Sequence, residues 1–250
     1  VSFRLIYELG VPREPDLKKV LLQLEIFGPV VDAFLIPDNH LGLPALSSVA
    51  LAVEVRNQGL KPIAAVNARD RNHLRFRSDV MTLKAYGVDE VLFLYGDNID
   101  HGRSGLKVRE MLGDEAAGGL RKGVAAEIGK PLGWKSRADF LMTQLAFERS
   151  QAGYWREANG FSQPLYCGVI ALPNKGLAHK YLSNIPDMRV PEGYLASFDK
   201  DEEAGLSAAI AELDGLCVSG VDGAHLVVPA RWRRFAQLLE EWKESKGLNH

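Results

Sequence analysis

Cysteine is scarce in this chain, and the only two, Cys167 and Cys217, lie far apart without metal-ligand spacing. A disulfide framework or a zinc ribbon is therefore not indicated, and both are read as reduced core residues. No excess of charge of one sign exists either: 30 basic residues face 32 acidic ones, a formal net charge of -2, which argues against a nucleic-acid or other polyanion partner. No apolar run reaches the roughly 18 residues of a membrane span. The opening VSFRLIYELG lacks the three-part form of a signal peptide, so a cytoplasmic protein that is not membrane-bound is expected. HExxH, GxSxG and Walker-type loops are missing, as is a Gly-rich dinucleotide fingerprint after a strand. Metalloprotease, serine hydrolase, P-loop and Rossmann readings fall with them.

What the chain does contain is a repeated unit, clearest between Ala64 and Asp97. Pro62 to Val66 is a short apolar run of strand length, followed by the polar loop Asn67 to Asn72. Leu74, Val80, Met81, Lys84 and Ala85 then fall near helical spacing before Gly87, a C-terminal breaker. Val91 to Leu94 is a continuous apolar run, as in a parallel strand covered on both faces, and it empties into Tyr95-Gly96-Asp97. A carboxylate just past a buried strand needs a partner or a function. An N-cap or loop ion pair would serve Asp97 as well as a catalytic role.

The same unit recurs along the chain. Phe3 to Glu8 is a strand closing on a carboxylate, and Asp16 to Phe27 carries Leu17, Val20, Leu21 and Leu24 at amphipathic spacing, with Asp16 in the first turn. Ala33 to Ile36 is the second strand, after which Ser47 or Ser48 caps a helix that runs to about Asn57 and stops at Gly59. A weaker helix over Gly105 to Gly119 precedes a fifth strand, Gly123 to Ile128. Only Gly129 to Asp139 then leads to Phe140 to Met142, too little for a full helix with two loops, so this crossover is abbreviated. The sixth strand empties into Thr143-Gln144, a helix covers Phe147 to Asn159, and Leu165 to Leu172 is the seventh strand. Helical segments at Gly176 to Ile185 and Ser207 to Leu216 precede the eighth strand, Ala224 to Val228, and Arg231 to Lys246 closes as an amphipathic helix.

Eight strands alternating with helical connections predict a single-domain (βα)8 barrel over residues 1 to 250. In such a barrel the loops at the C-terminal strand ends build the active site. Glu8, Asp38, Asn39, Asn67, Asp70, Asp97, Gln144 and Asn174 are therefore expected to converge on one mouth.

Six pieces at those ends, YELGVP, FLIPDN, NARDRN, LYGD, MTQLAFE and GAHL, resemble in order the methylenetetrahydrofolate reductase family. The resemblance implies a flavoprotein oxidoreductase of one-carbon metabolism and methionine biosynthesis. There, FAD takes hydride from NAD(P)H and passes it to 5,10-methylenetetrahydrofolate, giving the 5-methyl form. It casts Glu8 as the general acid for the amine released by ring opening, Asp97 beside flavin and pterin, and Gln144 as a pterin-binding amide. On the same resemblance Asp38, Asn67, Tyr95 and Gly96 join Asp97 around the cofactor, and Asn174 joins the substrate site. A loop carboxylate paired with Arg13 or Arg69 is the plainer reading of Glu8, and Arg69 to Asn72 read best as a salt-bridge cluster shaping their loop.

The departures are specific. Ala65 and Asn67 stand where the family has histidine and threonine, Tyr95 where it often has arginine, and Asn174 and Lys175 near the place of its folate-packing aromatic residue. The helix that holds the flavin's phosphate and ribose in that family follows the fifth strand, where this chain has only GKPLGWKSRAD with Lys130, Lys135 and Arg137. FMN in place of FAD, or no flavin at all, is therefore an alternative, with direct hydride transfer or corrinoid-linked methyl transfer as the chemistry. A non-catalytic folate-binding subunit is another, and the reading leaves room for a homo-oligomer or a partner subunit that completes the site.

Overall fold

The computed structural model describes residues 3–96, 106–145, 151–184, 194–198, 201 and 203–248. In chain order the elements are β1 (Arg4–Glu8), α1 (Lys18–Phe27), β2 (Ala33–Ile36), α2 (Ser48–Asn57), β3 (Pro62–Asn67), α3 (His73–Ala85) and β4 (Glu90–Leu94). They continue as α4 (Val108–Gly113), β5 (Arg121–Ala126), β6 (Phe140–Leu145), α5 (Gln151–Asn159), β7 (Leu165–Ile170) and α6 (Lys175–Asn184). The chain closes with α7 (Tyr194–Ser197), α8 (Ala204–Val218), β8 (Gly223–Val227) and α9 (Trp232–Ser245). The eight strands pair in parallel in sequence order and β8 returns to β1, so the expected (βα)8 barrel is formed.

The boundary readings hold best where a cap or breaker is explicit. Ser47 caps α2 by accepting the Ala50 N–H, and Gly59 (φ 77°) and Gly87 (φ 68°) follow α2 and α3 in the left-handed region. Two helix faces differ from expectation. In α1, Leu17 and Leu21 are exposed while Gln23 and Phe27 join Val20 and Leu24 in the interior. Asp16 lies ahead of the helix and accepts the Lys18 N–H. In α3, Leu74 and Met81 face out, and Phe76, Asp79, Val80 and Leu83 face in. Each buried polar side chain has its reason: Gln23 accepts from Tyr7 Oη at 2.8 Å and Gly10 N at 2.8 Å, and Asp79 pairs with Arg71 and Arg75. Specific polar partners outweigh the apolar count in choosing a face.

Two further expectations shorten or lengthen. The segment expected as one helix over Gly105 to Gly119 holds only α4 and a 3-10 turn, Glu115–Ala117, among its described residues. Strand β6 extends to Leu145, taking Thr143 and Gln144 into the sheet. The β5–β6 crossover is as short as predicted, with one 3-10 turn, Gly133–Arg137, in place of an α-helix.

Alternate strand residues fill the barrel. Ile6, Ala33, Leu35, Ile63, Ala65, Leu92, Phe140, Met142 and Tyr166 pack together inside it, while the larger core lies between the strands and the helical layer. Its N-terminal end is closed by a charged plug. Glu90 accepts from Arg4 Nη2 at 2.6 Å and Arg121 Nη1 at 2.6 Å, and Arg121 also donates to Tyr166 Oη at 3.1 Å. Burial opposes the Glu90 charge, yet the two guanidiniums hold its carboxyl below the usual range. With that end sealed, access to the interior is from the C-terminal end.

Candidate active site

The C-terminal ends of the strands carry the polar residues expected there, but the structure sorts them into distinct groups. Glu8 ends β1, beside β8 across the closure of the barrel. Its Oε2 lies 3.1 Å from Nε2 of His225, whose side chain is 7% exposed against 21% for Glu8. The pair can share one proton: a carboxyl group donates to Nε2, and Nε2–H donates to a carboxylate. A histidine of the last strand is thus a partner of Glu8 beside the cations, Arg13 or Arg69, that the sequence suggests. Tyr7 and Gln23 hold the start of the following loop, since the Gln23 amide bonds Tyr7 Oη, Gly10 N and Gly10 O.

His225 has room because its neighbour on β7 has no side chain. Gly168 pairs with His225 in the sheet, and a Cβ at position 168 would stand 2.8 Å from His225 Cε1 and 3.0 Å from the Gln144 backbone. The Gln144 contact has a second origin. Between Met142 and Leu145 the register of β6 against β7 shifts by one residue, a β-bulge in which Thr143 Oγ1 accepts the Gly168 N–H at 3.3 Å. The bulge brings Leu145 opposite Gly168 and leaves Gln144 exposed at the rim.

A second group braces the β2 and β3 ends. Asp38 Oδ2 accepts from Asn67 N at 2.9 Å and Asn67 Nδ2 at 2.7 Å, and it also receives Arg71 Nη1. Arg71, 8% exposed, bonds Asp79 at 2.8 Å as well. Asp70 takes Arg69 Nε at 2.6 Å and Asn39 Nδ2 at 3.0 Å, and chiefly the Arg69 bond holds its carboxyl well below the usual range. The predicted salt-bridge cluster of this loop is thus present. Asp38 and the fully buried Asn67, expected beside a cofactor, direct these polar atoms to each other and to Arg71.

Of the remaining expected residues, the described ones are dispersed along the rim. Tyr95 is exposed, and Gly96 (φ 94°) lets the β4 end pass close to Arg69, whose Cβ would meet an added one at 3.0 Å. Asp97, the expected partner of flavin and pterin, and the neighbouring His101 lie outside the described residues. Asn174 accepts the Leu177 N–H at 2.9 Å at the start of α6, a capping contact. His225 is the member that sequence reasoning passed over, although it sits in the quoted GAHL piece.

The described crossover after β5 lacks the α-helix that the resemblance assigns to the phosphate end of a flavin. Only the 3-10 turn Gly133–Arg137 stands in this crossover, and Lys130 pairs with Glu127, both largely exposed. Lys135 and Arg137 flank Ser136, whose carbonyl takes a hydrogen bond from Gln163 just ahead of β7, while Asp139 accepts the Lys122 N–H at the start of β5. Lys135 itself lies near the Glu127 carboxylate, just past the C-terminal end of β5. Trp155 of α5 packs in the core: it is buried, donates Nε1–H to the Lys130 carbonyl at 2.8 Å and meets Phe161 edge-on. Among the described residues no cluster of three or more His, Cys, Asp or Glu could hold a metal, and no helix is long and apolar enough to cross a membrane.

No family model and no curated protein matches the chain. Among solved structures, it is similar to an uncharacterized protein from Clostridium thermocellum that binds two copies of 5-methyl-5,6,7,8-tetrahydrofolic acid. The TM-score is 0.65 at 13% identity, and the match covers 99% of this chain and 96% of the other. At that identity the likeness is one of fold.

Proposed function

We propose that this barrel is a folate enzyme of the methylenetetrahydrofolate reductase type, binding the pterin of a reduced folate at its mouth. The observation that carries the reading is the Glu8–His225 pair, a proton-sharing couple at the open end of a barrel whose other end is sealed. The strand-end pieces that resemble that family, and the folate bound by a protein of the same fold, support the substrate class. Opening the five-membered ring of 5,10-methylenetetrahydrofolate breaks the bond from the methylene carbon to N10, and N10 must gain a proton. Glu8 in its protonated form supplies that proton, and His225 stabilises the carboxylate left behind and returns a proton to it. The methylene carbon, left double-bonded to N5, accepts hydride from NAD(P)H to become the methyl group.

The abbreviated β5–β6 crossover favours hydride transfer directly from the nicotinamide over transfer through FAD or FMN. The test is an absorption spectrum of the purified protein, before and after addition of FAD or FMN and removal of the excess, followed by NAD(P)H oxidation with methylenetetrahydrofolate. A colourless protein that oxidises NAD(P)H only when the folate is present is the expected result. A flavin band bleached by NAD(P)H and restored by the folate would replace the direct route. Failure to bind any reduced folate would overturn the reading.

A further inference from the structure

The mouth has an apolar wall apart from the main core. Ile170 and Leu172 at the end of β7 and Ala178 of α6 are buried in it, with Leu145, Tyr181, Leu195, Phe198 and Val227 packed against them. Ile170 and Val227 pair with each other two residues beyond the Gly168–His225 pair, so the wall begins one layer above Glu8 and His225. Tyr181 follows fully buried Ala178 by three residues and therefore shares its helix face, turned toward the strand ends. That helix is fixed at its start by the Asn174 cap. Burial, and then the nearby Glu8 carboxylate, push the Tyr181 hydroxyl above its ordinary range. The ring edge thus lies within reach of the proton-sharing pair's field, while the side chain stays half-buried.

We propose that Tyr181 is a ligand-binding residue of the mouth, its ring packing on the flat pyrimidine half of a reduced pterin held over Glu8 and His225. The inference rests on the folate reading above and adds which half of the ligand meets this wall. A ring packed against the buried cluster of Ile170, Leu172 and Ala178 offers a broad apolar face, and a pterin has a flat face to set against it. Packing there brings the heterocycle beside the carboxyl group that must protonate the substrate.

The experiment titrates 5-methyltetrahydrofolate and 6-methyltetrahydropterin, which lacks the aminobenzoylglutamate tail, into wild type, Tyr181→Phe, Tyr181→Leu and Tyr181→Ala. Thermal melts confirm that each variant is folded, and Tyr181→Leu keeps the wall apolar should the alanine variant fail. Tyr181→Phe is expected to retain affinity for both ligands within about threefold, and the leucine and alanine variants to lose about tenfold for both. Equal binding by all variants would overturn the inference while leaving the folate reading intact. So would a loss confined to 5-methyltetrahydrofolate, which would place the ring against the tail. A wild type that binds neither ligand would overturn both.

Discussion

Gly168→Ala tests the link between the barrel wall and the proposed acid. The added methyl would stand 2.8 Å from His225 Cε1 and 3.0 Å from the Gln144 carbonyl carbon and oxygen, so the imidazole has to turn. Turning it breaks the 3.1 Å contact with Glu8. Overpacking of this kind costs about 1–3 kcal/mol, and the lost hydrogen bond adds about 1 kcal/mol. A total of about 3 kcal/mol lowers the midpoint of thermal unfolding by roughly 6–12 °C in a chain of this size. Circular dichroism melts of four proteins, wild type, Gly168→Ala, His225→Ala and the double variant, isolate the coupling. With His225 truncated, the methyl loses its closest contact and keeps that with the Gln144 backbone, and its cost should fall by about 1–2 kcal/mol. An equal cost in both backgrounds would refute the argument that Gly168 exists to seat the imidazole.

Glu8→Gln should leave the melt and the affinity for 5-methyltetrahydrofolate nearly unchanged while slowing folate-dependent NAD(P)H oxidation by about 10²- to 10⁴-fold; an unchanged rate removes the acid assignment. Glu90→Gln leaves Arg4 and Arg121 without their shared charge partner inside the barrel, at side-chain exposures of 18% and 32%. Its cost is placed at the low end of the range for a broken buried pair, about 3 kcal/mol, read from urea unfolding, and an unshifted midpoint would show the plug to be inert. Asp70 supplies the pH test. Its folded carboxyl, held down chiefly by Arg69, binds its proton less readily than in the unfolded chain, where the ordinary value is 3.8. That stability is present above this value and drains away as the pH falls below it. The gap in urea midpoint between wild type and Asp70→Asn should therefore narrow in acid, and a gap that widened would reverse the sign assigned to the Arg69 bond.

The fold was legible because its signals are local. A run such as Val91–Leu94 between polar loops carries its own strand assignment, and Ser47 and Gly59 mark the ends of α2 without reference to the rest of the chain. Helix faces were less legible, because they depend on distant partners. Leu21 and Met81 look like core by type, but Gln23 has Tyr7 and Gly10 to satisfy, and Asp79 has Arg71, so the polar residues face in. The β3 loop reads correctly as an internal ion-pair cluster because both signs of charge stand within Arg69 to Asn72.

At the mouth, sequence marks Glu8 as a strand-end carboxylate but not its partner, which lies 217 positions away in the chain. A signal was nevertheless available. Closure sets β8 against β1, strand alternation points every second residue inward, and the register aligns His225 with Ile6, one step below Glu8. A histidine placed there by topology meets whatever the first strand carries at its end. Gln144 was legible as a strand-end residue but the bulge beneath it was not, because a bulge adds a residue to one strand without any local marker. The trace of that event lies on the opposite strand, where Gly168 faces the bulged backbone on one side and the imidazole on the other. One missing Cβ serves both approaches, so the irregular edge of β6 and the position of the proposed proton relay form a single constraint, and neither can change without the other.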